Sequence, residues 1–189
     1  MALTINIDLG DADLQHFIDS MHAAQREAKG LSAKDVTDAA MKLLAGGRSV
    51  ELPNFIAERL AKLDNMISMV LDEGFALPDE DKSRVLACLT YFANPKDVIP
   101  DDVPVLGYLD DAIMIELCVR ELHYELEAYD DFNDYRQREA KLRGVDPATL
   151  KTKRVEWAEA RREEVIDRMR KRRSMSYRSD SGGSLFSVR

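Results

Sequence analysis

Apolar residues recur every three or four positions through most of the chain, the spacing that lines one face of an α-helix. Leu14, Phe17, Ile18 and Met21 predict a first helix from about Asp11 to Lys29, with Asp11 and Asp13 near its positive N-terminal end and Gly30 as its stop. Ser32 and Asp35 resemble a capping box, with Asp in place of the usual Glu or Gln. They open a second helix that carries Val36, Ala39, Ala40, Leu43 and Leu44 and ends at Gly46-Gly47. Pro53 suits the first turn of a third, in which Phe55, Ile56, Leu60, Leu63, Ile67, Val70 and Leu71 run to about Glu73, with Met66 and Met69 as core filler and Gly74 as the stop. Pro78, followed by Asp79, Glu80 and Asp81, starts a fourth whose Val85, Leu86, Cys88, Leu89, Tyr91 and Phe92 cover most of its circumference.

Two stretches depart from this period. Leu3, Ile5, Ile7 and Leu9 alternate with smaller or polar residues, which predicts a short extended segment over 1–10. No second strand is evident, so that segment would pair with another copy or lie on the surface. The other departure is Tyr91 to Asp111, YFANPKDVIPDDVPVLGYLDD, which places three prolines, one glycine and five aspartates between two apolar helical patterns. Proline disfavours the α conformation in the residue before it and donates no backbone hydrogen bond. Asn94-Pro95 therefore stops the fourth helix, and Pro100 and Pro104 bias Ile99 and Val103 toward extended backbone. Val98, Ile99, Val103, Val105 and Leu106 are available to plug into the core, while Asp97 and Asp101 can accept hydrogen bonds from nearby N–H groups.

After this hinge, Leu109, Ala112, Ile113, Ile115, Leu117, Val119 and Leu122 cover more than one helical face, the mark of an enclosed helix. Glu116 and Arg120 have the favourable order for an i,i+4 ion pair. The acidic-aromatic run YELEAYDDFNDY puts Tyr124, Phe132 and Tyr135 near one side, as the end of the core helix or as a docking surface for a basic helix. Gly144 and Pro147 then separate a second amphipathic region, about Ala148 to Arg173. In it Val155, Ala158, Val165 and Met169 approximate a heptad seam interrupted by Arg162, with Trp157 and Ile166 widening the apolar face. From Ser174 the chain is rich in serine and glycine and lacks a core-forming pattern.

The predicted architecture is an all-α, compact multi-helix bundle. It comprises an extended segment (1–10), an acidic helical core (11–143), a basic amphipathic arm (144–173) and a flexible tail (174–189). At 189 residues, one domain with extensions is the default.

Charge sharpens this division. Residues 1–135 carry 11 Lys and Arg against 27 Asp and Glu, a net −16, whereas residues 136–189 carry 16 against 8, a net +8. Such asymmetry fits a basic arm that covers an acidic body, reaches another subunit or meets an anionic partner. Cys88 and Cys118 have neither a CxxC partner nor a metal-ligand neighbour, so reduced core thiols are expected. The opening MALTINIDLG lacks the basic and apolar regions of a secretion signal, and no stretch approaches the length of a membrane span, so a cytoplasmic location is expected.

The hinge resembles the bacterial YkvA-like family, a domain of unknown function, through Tyr91, Pro95, Asp97, Ile99, Pro100, Asp101, Pro104, Gly107, Asp110 and Asp111. The match spans about Tyr91 to Leu122. It implies a compact helical unit and, in some relatives, association with a membrane, but no established reaction.

Candidate chemistry is sparse. Asp97, Asp101, Asp110 and Asp111 could hold Mg²⁺ or Ca²⁺, which prefer carboxylate oxygen, and would then support a metal-dependent hydrolase or transferase. Their spacing is not that of a calcium loop, and no second acidic or histidine motif accompanies them. Turn-locking and capping are the leading roles, and no cofactor is expected. His16 and His22 lie six apart and do not share a helical face, and Gly46-Gly47 lacks the Walker lysine. The leading expectation is a non-enzymatic interaction or scaffold protein that self-associates as a homo-oligomer or binds a protein through its basic arm. The candidate contact residues are Trp157, Arg168, Arg170, Lys171, Arg172 and Arg173. Peripheral binding to anionic membrane is the next reading. Nucleic acid ranks below it, since no recognised reading module accompanies the basic cluster.

Overall fold

The computed structural model describes residues 8–28, 30–94, 99, 103 and 106–179, with 172–179 described by backbone alone. The α-helices among these residues are α1 (Asp11–Glu27), α2 (Ala33–Gly47), α3 (Asn54–Leu71), α4 (Asp79–Leu89), α5 (Leu109–Glu121), α6 (His123–Arg143) and α7 (Arg154–Ser179). Short 3-10 turns occupy Thr90–Ala93, Leu106–Tyr108 and Pro147–Thr149. The all-α expectation holds, and no strand occurs among the described residues. Leu3, Ile5 and Ile7 of the expected extended segment lie outside them.

The chain divides into two compact units, Met1–Asp131 and Phe132–Arg189, and the division falls within α6. In the first unit, α3 packs against α5 and α2. Leu63, Met66 and Met69 of α3 are fully buried, as are Val85 and Leu89 of α4 and Met114, Ile115 and Cys118 of α5. Phe17 and Ala24 of α1 join Tyr91 and Met114 in one apolar cluster, with Met21, Phe92, Ile113 and Leu117 against it. Burial on this scale is the main favourable term in folding.

Local signals explain where these helices begin. Ser32 accepts a hydrogen bond from the Asp35 N–H, while the Asp35 carboxylate accepts from the Ser32 N–H at 2.9 Å, so the box closes in both directions. The Ser32 hydrogen bonds hold the Asp35 carboxyl below its ordinary pKa. Pro53 and Pro78 each sit immediately before the first helical residue, with φ of −56° and −55°.

Gly46 and Gly47 end α2 for a reason of packing. A Cβ on Gly47 would lie 2.5 Å from Leu60 Cδ1, and one on Gly46 would lie 2.9 Å from Tyr108 Oη. Leu60 is buried in α3 and has little room to yield. Gly47→Ala is therefore expected to cost about 1–3 kcal/mol through overpacking, measured as a shift in the urea unfolding midpoint. A wild-type midpoint would show that α2 and α3 do not approach this closely.

Asp72 closes α3 in a way the sequence pattern does not signal. Its Oδ1 accepts from the N–H groups of Gly74 at 2.8 Å and Phe75 at 3.0 Å, while Oδ2 accepts from the Tyr129 hydroxyl at 3.2 Å. The Phe75 and Tyr129 rings meet edge-on at 5.1 Å. This turn thus ties the end of α3 to α6.

In the second unit, α6 ends in a Schellman turn. Gly144 adopts φ +66°, its N–H donates to Lys141 O at 3.4 Å, and the Val145 N–H donates to Ala140 O at 3.0 Å. Asp146 then caps the turn at Pro147 by accepting from the Ala148 N–H at 2.9 Å. The last helix starts at Arg154 rather than near Ala148, because Pro147–Thr149 closes as a 3-10 turn instead.

Candidate functional site

The hinge is organised by one carboxylate. Asp110, in the first turn of α5, is buried, and its Oδ2 accepts from the Ile99 N–H at 3.0 Å and the Tyr91 hydroxyl at 3.3 Å. Tyr91, itself buried, comes from the 3-10 turn after α4, Ile99 from the middle of the hinge and Asp110 from its end. Three positions spread over the motif therefore converge on one atom. The carboxylate thus receives hydrogen bonds in a buried setting and sits at a helix N-terminus, where unsatisfied N–H groups point toward an acceptor.

Asp111 is also buried. Gly107 is buried in the 3-10 turn, and its N–H donates to Val103 O at 2.9 Å. Ile99 and Val103 are half-buried, as core-plugging residues should be, but Leu106 is exposed. The tight Leu106–Tyr108 turn accounts for this departure from expectation, since it carries only Gly107 inward.

Pro95, Asp97, Pro100, Asp101 and Pro104 lie outside the described residues, as do Val98 and Val105. Of the four carboxylates that the Mg²⁺ or Ca²⁺ reading requires, Asp110 and Asp111 are within them. No group of three or more His, Cys, Asp and Glu is arranged to hold a metal among the described residues. With Asp110 acting as a tether, adding Mg²⁺ or Ca²⁺, or a chelator, is expected to leave the melting temperature unchanged. A metal-induced rise that disappears in Asp110→Asn would contradict that role.

Other candidate groups fall into structural pairs. Glu116 accepts from Arg120 at 3.0 Å, as the i,i+4 spacing predicts, and also from Arg59 of α3 at 3.1–3.2 Å. Arg84 of α4 pairs with Glu121 and Glu125, which joins it to α5 and α6. Cys88 and Cys118 are buried free thiols, and Cys118 Sγ donates to Cys88 O at 3.8 Å. The contact with Cys88, together with burial, raises the Cys118 pKa and keeps that thiol protonated. Exposed His123 lies 3.5 Å from Glu127.

The basic arm presents two distinct faces. Trp157 is half-buried and meets the fully buried Phe132 edge-on at 6.1 Å, while the Arg136 guanidinium stacks over the other ring at 4.6 Å. Arg161 and Glu164 share this half-buried side, at 2.5 Å from each other, and Arg138 of α6 lies 3.8 Å from Glu164. The Arg161 hydrogen bond holds the Glu164 carboxyl below its ordinary pKa. On the outward side of the helix, Val155, Ala158, Arg162, Val165 and Met169 are all exposed, with Ile166 at their edge. Trp157 therefore does not widen the seam, because at 100° per residue it lies across the helix from Val155.

Of the basic cluster, Arg168, Arg170 and Lys171 are exposed, with Arg168 at 3.5 Å from Glu164 and Arg170 at 3.6 Å from Asp167. The side chains of Arg172 and Arg173 lie outside the described residues. Tyr124 is 79% exposed while Phe132 is fully buried, so the acidic-aromatic run does not form one surface. Leu126, Tyr129 and Phe132, each three residues on, carry the buried side of α6 instead.

These elements define a helical protein with a carboxylate-tethered hinge and an amphipathic C-terminal helix. A family model described as "Protein of unknown function (DUF1232)" matches residues 81–117, which span most of α4, the hinge and much of α5. The other helices of the first unit and the whole second unit lie outside that match. No curated protein and no solved structure matches the chain. Among the described residues no helix is long and apolar enough to cross a membrane.

Proposed function

We infer that this is a non-enzymatic helical interaction protein, in which the hinge maintains the first unit and the outward face of α7 supplies the recognition surface. The observation that carries this reading is the exposure of the whole seam, with Val155 77% and Val165 and Met169 each 51% accessible, while Trp157 is turned toward Phe132. Clustered apolar side chains on one face of a charged helix are the usual makings of a binding surface. Asp110 serves the fold here rather than a reaction. The resemblance to the YkvA-like pattern supports reading the hinge as a recurring structural unit on which different surfaces are mounted.

Val165→Glu/Met169→Glu places two charges on the seam without touching the Trp157 side. It is expected to leave the far-ultraviolet spectrum intact while abolishing self-association and binding to vesicles of anionic phospholipid, whichever of the two the wild-type chain displays. Wild-type behaviour in both assays, or neither activity in the wild-type chain, would overturn the reading.

A further inference from the structure

Cys88 and Cys118 meet where α4 and α5 run antiparallel. One turn away on each helix, Arg84 of α4 reaches Glu121 of α5 at 3.1 Å. On the other side Tyr91, just after α4, shares an apolar cluster with Met114 of α5. Numbers rise along one helix as they fall along the other, and the two thiols form the middle rung. Cys118 Sγ lies 3.8 Å from the Cys88 carbonyl oxygen, so it reaches the backbone of the opposite helix. Bridging two cysteines requires facing side chains on backbones that lie close together, which this register and this contact supply.

The two sulfurs are not equivalent. Cys118 is fully enclosed, whereas Cys88 keeps 5% of its surface accessible. Contact with the Cys118 thiol lowers the Cys88 pKa, while contact with Cys88, together with burial, raises that of Cys118. Cys88 is therefore the sulfur that ionises first and the one that a small oxidant meets, and the thiolate is the reactive form. Cys118 stands behind it as a resolving thiol.

We propose that Cys88 and Cys118 are a peroxide-sensitive pair that closes to an intramolecular disulfide and braces the hinge. The Cys88 thiolate attacks one oxygen of hydrogen peroxide, the O–O bond breaks, and Cys88 becomes a sulfenic acid. The departing hydroxide takes up the proton that Cys88 released on ionising. Cys118 then attacks the sulfenic sulfur; the S–S bond forms, the S–O bond breaks, and the second hydroxide leaves as water with the Cys118 proton. Two thiols thus give two electrons to one peroxide, which becomes two waters. The link closes a loop that contains the whole hinge, from Tyr91 to Asp111. Such a loop restricts the unfolded chain and so favours the folded one.

Peptide mapping of the full chain, reduced and then treated with hydrogen peroxide under native conditions, tests this. The expected product is a monomer whose peptides are joined through Cys88 and Cys118, with no thiol left to alkylate in denaturant and full reversal by dithiothreitol. Cys118→Ser is expected to hold Cys88 as a sulfenic acid that dimedone traps, and Cys88→Ser to leave Cys118 a free thiol. Oxidised wild type should unfold at a higher urea concentration than reduced wild type. Two free thiols that persist while the exposed Met169 becomes a sulfoxide would overturn the proposal without recourse to any variant. Disulfides formed only between chains, or a sulfinic acid at Cys88 of the wild type, would overturn it equally. An internal disulfide with no rise in the urea midpoint would overturn the bracing of the hinge.

Discussion

Asp110→Ala is expected to remove about 3–5 kcal/mol of stability, enough to unfold much of the first unit at ordinary temperature. Two hydrogen bonds to a charged acceptor disappear together, from the Ile99 N–H and the Tyr91 hydroxyl. Each such bond contributes roughly 1.5–3 kcal/mol, and deleting the acceptor takes it away from a partly buried backbone donor and a buried phenol. Part of the loss comes back through relaxation, which keeps the total below the simple sum. Tyr91→Phe deletes one bond and should cost about 1 kcal/mol. Asp110→Asn preserves shape and an acceptor oxygen, so it should fall between the two. Urea unfolding followed by circular dichroism checks the ranking. Equal midpoints for Asp110→Ala and wild type would mean that the hinge is held by something other than this carboxylate.

Trp157→Ala should cost about 2–3 kcal/mol, below the range for a fully buried tryptophan because this one is half-buried. Its effect is confined to the second unit. Of the other half-buried residues on its face, Arg154, Arg161 and Glu164 are charged and Ala160 is small, so the ring is the main apolar anchor of α7 against Phe132. Once it is lost, α7 depends on i,i+3 and i,i+4 ion pairs such as Arg161–Glu164 and Arg168–Glu164, each worth only about 0.2–0.5 kcal/mol. Hydrogen exchange should show faster amide exchange along α7 with α1–α5 unchanged. Uniform acceleration throughout the chain, or none in α7, would contradict this local role.

Much of the first unit is legible in sequence because its determinants are local. The 3.6-residue period marks α1–α5, the Ser32–Asp35 box starts α2, and Pro53 and Pro78 precede helix starts as proline's fixed φ requires. The hinge motif contains Tyr91, Ile99 and Asp110, but spacing alone does not reveal that they meet at one oxygen, since the intervening chain must first turn back on itself. Asp72 escapes notice for the same reason: its bond to Tyr129 joins residues far apart in the chain. Gly46 and Gly47 read as a turn, whereas their packing role depends on Tyr108 and Leu60 from other elements. In α7 the period exposes a seam, but apolar residues at intermediate angles conceal which side turns inward. Trp157 belongs with Phe132, and only the folded unit separates it from Val155 and Met169.

The division of labour between a structural hinge and a recognition helix is tested most directly by sedimentation velocity on wild-type and Val165→Glu/Met169→Glu chains, side by side over the same concentrations. The wild-type sedimentation coefficient should rise with concentration, while the variant stays monomeric with an unfolding free energy within ~0.5 kcal/mol of wild type, as befits exposed positions. A variant that associates as the wild type does would contradict it.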